Sequence, residues 1–95
     1  MQQFKEIGII HLGDAIHGAM EQLQSLLGLE VSNVIGAARM DDGWQVTVEL
    51  IERKAVPDTQ DLLGVYEIHL DDAGEMTSYE RKEIRRRMDL VETVT

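Results

Sequence analysis

The spacing of apolar residues changes once along this chain, and that change limits the fold more than any other feature of the sequence. Between Asp14 and Gly28, Ile16, Ala19, Met20, Leu23, Leu26 and Leu27 recur at intervals of three and four, which lays one apolar stripe along an α-helix. From Glu30 onward the apolar residues recur at two, the period of a strand with one buried face. A helix stripe and a sheet face each need cover on one side, and laying the helix across the sheet buries both. The expected class is therefore α+β: an N-terminal helix packed on one face of an antiparallel meander of about four strands.

Local signals set the boundaries. Asp14 can cap the helix, Gly28 stands where a left-handed residue stops it, and Gly18 weakens it. Glu30–Met40 reads as a soft first strand. Asp41-Asp42-Gly43 reads as a hairpin turn in which glycine supplies a positive φ. Trp44–Glu52 alternates most clearly, with Trp44, Val46, Val48 and Leu50 on one face and Gln45, Thr47, Glu49 and Ile51 on the other. Residues 54–61 hold the one proline, Pro57, and read as a loop. Leu62–Leu70 is a third strand, with Tyr66, Ile68 and Leu70 facing the core, and Asp71-Asp72-Ala73-Gly74 is a second tight turn. Glu75 to about Arg86 reads as a fourth strand, or as a helix on which Ile84, Met88 and Val91 align. The chain is one domain, 1–95, with residues 1–13 a frayed or partly helical segment and 89–95 a frayed tail. The expected core is Ile16, Met20, Leu23, Leu27, Val34, Trp44, Val46, Val48, Leu50, Tyr66, Ile68 and Leu70.

Composition narrows the function. A net charge of −9 repels nucleic acid at long range. No stretch approaches the length of a membrane span, the apolar run Ile7–Ile10 is too short for a signal peptide, and there is no cysteine for a disulfide or thiolate site. A cytoplasmic setting is expected. His11 and His17 fall on different helix faces, so no metal site is expected. The aspartates of the second turn lack the ligand spacing of a calcium loop. The serines sit in no nucleophile elbow, and no phosphate loop occurs. No catalytic residue and no cofactor are expected, and Trp44 and Tyr66 read as core rather than as a base-stacking platform.

Glu49 and Glu67 share the outward sheet face, where water surrounds them and nothing splits their acidities for acid–base work. Of the nine basic residues, Arg81, Lys82, Arg85, Arg86 and Arg87 cluster at the end of the chain. Glu49, Glu67, Arg81, Arg85 and Arg86 are the expected partner-binding residues, a surface charge ladder that equally serves to stabilise the sheet. Reversing Arg85 and Arg86 together is expected to weaken partner binding with little change in stability. Open sheet edges also allow self-association into a homo-oligomer.

Three ordered stretches carry a resemblance. They are Asp42-Gly43-Trp44 with the strand running to Glu52, Pro57-Asp58-Thr59 leading to Tyr66-Glu67, and Asp71-Asp72-Ala73-Gly74-Glu75 leading to Tyr79-Glu80-Arg81. Together, over roughly residues 30–87, they resemble the gas vesicle protein GvpO family. The chain departs from that pattern at Ala55 and Val56, ahead of the proline, and at Ile84-Arg85-Arg86-Arg87 near the end. The resemblance implies an accessory protein in gas vesicle formation that binds other gas vesicle proteins during assembly, with no catalytic residues. Two readings stand beside it: a PepSY-like or cystatin-like ligand-binding module, whose helix-and-meander arrangement is similar, and a small enzyme with a pocket between helix and sheet.

Overall fold

The computed structural model describes residues 10–88. The elements are α1 (Leu12–Leu27), β1 (Glu30–Met40), β2 (Gly43–Arg53), a short 3-10 turn (Asp58–Gln60), β3 (Leu62–Asp71) and β4 (Met76–Arg86). The strands form one antiparallel sheet in the order β1-β2-β3-β4. The expected α+β meander is the observed fold, and its fourth member is a strand paired along its length with β3. The expectations for residues 1–9 and for the tail, 89–95, fall outside the described residues.

The helix starts two residues before Asp14. His11 is the N-cap in an extended conformation and makes no side-chain cap, while Asp14 lies in the first turn. There its charge meets the positive end of the helix dipole instead of closing the turn. Gly28 ends the helix as expected, at φ 72°, with its N–H donating to the Gln24 carbonyl at 2.7 Å.

The Asp41-Asp42 turn contradicts the reason given for its glycine. Among the described residues the positive φ values belong to Gly28 and Gly74, not to Gly43. Gly43 opens β2 opposite Asp71, and a Cβ there would overlap the carbonyl oxygen of Leu70. The glycine permits close approach of two backbones, not an unusual torsion.

The core lies between α1 and the inner face of β1–β3. Trp44, Val46, Val48, Leu50, Tyr66, Ile68 and Leu70 are buried as expected. On the helix the buried line is Ala15, Ala19 and Leu23, whereas Ile16, Met20 and Leu27 pack at its margins and Leu26 is 57% exposed. The two alanines let the helix sit close to the sheet, and this rotates the larger residues to the flanks. Val34 is likewise only partly buried. Leu63, on the opposite sheet face, is buried outside this cluster.

Bulges shape the rest. Ser32 and Ile35 are extra residues in β1, Glu52 in β2, and Thr77 and Lys82 in β4, as the interrupted registers show. Both edge strands are therefore bulged, which twists them and spoils a continuous edge ladder.

Gly43→Ala is expected to lower stability by about 1–3 kcal/mol through overpacking. Gly36→Ala, where a new Cβ meets nothing within 4 Å, stays within about 0.5 kcal/mol of the parent. Urea midpoints of the two variants test this, and equal midpoints would remove the steric account.

Candidate protein-docking surface

The structure divides the expected charge ladder between the two faces of the sheet. Glu49 and Glu67 lie on the face away from the helix, with Arg85 opposite Leu63 on the same side. Arg81 lies opposite Tyr66, on the helix side. By strand alternation from Ile84, Arg86 belongs to the helix side too.

Glu49 is not the wet carboxylate expected from the sequence. It is 5% exposed, and the Arg85 guanidinium pairs with it. Arg85 reaches across β3 to do so, and it also lies 3.8 Å from Glu83. The Arg85 side chain lies over Glu49 from β4, and the segment after β2 folds back at this end of the sheet. Asp61 organises that segment. Its carboxylate accepts from the Ala55 N–H at 2.7 Å and pairs with Arg87 at 2.9 Å. The Arg87 side chain also donates to the Asp58 carbonyl at 3.3 Å, and the Arg87 N–H to the Asp61 carbonyl at 3.1 Å. Arg87 first, and then the Ala55 N–H, hold the Asp61 carboxyl below its ordinary value. Glu67 remains at the surface, accepting from Gln45 at 2.9 Å with His69 at 3.5 Å, and it stands directly opposite Glu80.

On the helix side, three irregularities build one polar cluster. Glu52 is the bulge residue of β2, and the bulge swings its side chain across Gly64, where any Cβ would strike the carboxylate. Glu52 accepts from the Tyr66 hydroxyl at 2.5 Å, and Arg81 approaches the same oxygen at 3.7 Å. Burial first, then the bond to Glu52, push the Tyr66 hydroxyl above its usual value. Sequence alternation alone could not show that Glu52 turns inward. Glycine on a central strand, which has no packing role of its own, is the signal that points to it.

Next to this cluster the helix side of β4 carries half-exposed apolar residues. Met76, Tyr79, Arg81 and Ile84 stand opposite Leu70, Ile68, Tyr66 and Gly64 respectively, so they share the helix-bearing face. Tyr79 and Ile84 are 40% and 46% exposed, and Tyr79 leans on Tyr66 with ring centres 6.3 Å apart. Between α1 and the start of β4 runs an open groove of about 580 Å³ lined by Glu21, Gln22, Ser25, Leu26, Glu75 and Met76. Gln22 sets its floor: its amide nitrogen donates to the Gly74 carbonyl at 2.8 Å, and its amide oxygen accepts from the Met76 N–H at 2.9 Å.

The remaining chemistry is structural. The Asp71 carboxylate accepts from the N–H groups of Ala73 and Glu75 at 3.0 and 2.9 Å, closing its own turn. Among the described residues no three His, Cys, Asp or Glu side chains converge as a metal site, and no helix is long and apolar enough to cross a membrane.

Fold and site together define a small α+β domain with a polar open sheet face and a helix face covered over part of its width. The chain belongs to the family described as gas vesicle synthesis protein GvpO, which matches residues 2–90. It is 47% identical over 81 residues to gas vesicle protein O1 of Halobacterium salinarum, covering 85% of this chain and 68% of that one. It is 49% identical over 84 residues to gas vesicle protein O of Haloferax mediterranei, covering 87% and 60%, and 44% identical over 66 residues to gas vesicle protein O of a Streptomyces species, covering 70% and 52%. The chain thus spans about half to two thirds of the length of these relatives. No solved structure matches it.

Arg85→Glu leaves Glu49 buried without its partner, so it is expected to destabilise toward the lower end of about 3–5 kcal/mol. This replaces the expectation of an unchanged midpoint, and a thermal midpoint equal to the parent's would show the pair to be superficial. Asp61 has a lowered folded-state value, so its contribution is present above the ordinary aspartate value and is lost as pH falls through the folded one. Asp61→Asn is therefore expected to be less stable than the parent near neutral pH, with the gap closing below about pH 4. A gap independent of pH would refute the linkage.

Proposed function

We propose that this protein acts in gas vesicle formation by binding other gas vesicle proteins during assembly. The observation that carries the reading is an exposed apolar strip, Leu26, Tyr79 and Ile84, on a highly charged domain of a gas vesicle synthesis family. Exposed apolar surface rimmed by polar groups is what a docking protein presents. The names of the relatives, gas vesicle proteins O1 and O, support the same process. In this reading the protein works in the cytoplasm, as a binder and not as a catalyst, and without a cofactor. Arg81 and Arg86 lie beside the docking region on the helix side, Glu67 offers a separate polar contact on the open face, and Glu49 and Arg85 keep the sheet end in shape.

Deleting the gene in a vesicle-forming host is expected to abolish or reduce vesicles. The purified protein is expected to capture a shell or accessory protein encoded beside it. Normal vesicles in the deletion strain, together with no capture of any vesicle protein, would sink the proposal.

A further inference from the structure

We infer that residues 1–9 of this same chain lie along the helix side of β4 in the free protein, as an intramolecular cover that a docking partner has to displace. The inference deepens the proposed function. The displacement rests on that reading, and the cover itself does not.

The point from which this segment starts is fixed by the fold. Ile10, the first described residue, packs against the margin of the core cluster. Its Cδ1 lies 2.8 Å from where a Cβ on Gly74 would stand, so the bare glycine makes room for it. Gly74 belongs to the turn between β3 and β4, where its N–H donates to the Asp71 carbonyl at 3.0 Å, just ahead of Met76. The chain before Ile10 therefore begins at the head of the strip that carries Met76, Tyr79 and Ile84.

Reach and composition agree with that starting point. Residues 1–9 can extend to about 30 Å, and β4 from Met76 to Ile84 is roughly 26 Å long. Phe4, Ile7 and Ile9 supply apolar groups, and Gln2, Gln3, Lys5 and Glu6 supply polar ones. The helix α1 packs on β1, β2 and β3, which leaves Tyr79 and Ile84 at 40% and 46% exposure for such groups to meet.

Two further observations favour this occupant over others. The family match spans residues 2–90, so the segment before Ile10 belongs almost whole to the shared domain, whereas residues 91–95 at the other end of the chain lie outside it. A free polypeptide also reaches the strip only at its own concentration. A segment tethered at the edge of the strip meets it at an effective concentration of millimolar order. The same tether makes the cover reversible, because a partner that binds more tightly takes the strip and leaves the segment attached at Ile10.

The chain has no cysteine, so Gln3→Cys gives the whole protein a single attachment point for a nitroxide, read as broadening of backbone amide signals in NMR spectra. Broadening is expected to be strongest from Tyr79 to Ile84 and to fall across the sheet toward β1. Adding Phe4→Asp and Ile7→Asp is expected to reduce it at Ile84 at least threefold, with unchanged β2 and β3 shifts verifying the fold. Broadening that is strongest elsewhere, or that survives those substitutions, overturns the inference. A nitroxide on Thr93→Cys that broadens Tyr79 to Ile84 more strongly also overturns it, since the other end of the chain would then be the occupant. Adding a vesicle protein that the labelled chain captures is expected to relieve the broadening at Ile84. Capture without relief overturns the displacement. If the broadening is found on β4 and no vesicle protein is captured, the cover stands and the proposed function falls.

Discussion

A single helix laid on a four-stranded sheet cannot cover it, and this mismatch of widths governs most of what the molecule does with its side chains. The contact between them is made by small residues. Ala15 and Ala19 are fully buried with Leu23, so α1 lies low over Val46, Val48 and Ile68. A helix seated this closely gains dense packing but spreads its cover over β1–β3. What it cannot cover has to be satisfied by other means, and the sheet uses a different one in each region.

At the turn end the means is hydrogen bonding. Gln22 bridges the helix to the Gly74 carbonyl and the Met76 N–H, giving partners to backbone groups that α1 would otherwise leave half-buried and unpaired. Arg39 performs a similar task at the neighbouring corner. Its guanidinium lies 5.2 Å over the Trp44 ring, donates to the Gly43 carbonyl at 3.0 Å and meets Asp72 at 2.8 Å, tying the two turns together. Past the helix C-terminus, Glu52 folds over Gly64 onto Tyr66 and puts a satisfied polar cluster where apolar cover runs out. The helix side of β4 keeps its apolar residues partly exposed, with Tyr79 and Ile84 at its centre.

The framework was legible because it rests on period and turn chemistry, both of which are local. The strand faces of Trp44–Leu50 and Tyr66–Leu70 emerged from alternation alone, and the stop at Gly28 from glycine's fit to a left-handed cap. What alternation could not convey was anything that depends on tertiary placement. Leu26 and Ala19 both belong to the periodic stripe, yet one is 57% exposed and the other buried, because the stripe is wider than the line of contact. Glu49 reads as an outward polar residue, and it is outward. Its burial comes from Arg85, 36 residues later, and from a loop held by Asp61. Bulges defeat period arguments most directly: one inserted residue at Glu52 and another at Lys82 change which face the following side chains occupy. That is why Arg81 and Arg85, which share a face on an unbulged strand, lie on opposite ones.

This separation changes what the basic run near the end of the chain means. Read along the sequence, Arg81 to Arg87 is a patch of positive charge on an acidic protein. In the fold these residues are dealt out one by one to carboxylates: Arg81 to Glu52, Lys82 to Glu80, Arg85 to Glu49 and Arg87 to Asp61. Two of those carboxylates, Glu49 and Asp61, are almost fully buried, and a buried carboxylate needs a fixed cation far more than an exposed one does. The run is therefore held in place chiefly by the carboxylates it neutralises, and little of its charge is left over to attract a partner at a distance. Recognition on this molecule then depends on contact more than on long-range steering. The half-exposed apolar residues of β4, Tyr79 and Ile84, are where such contact is available.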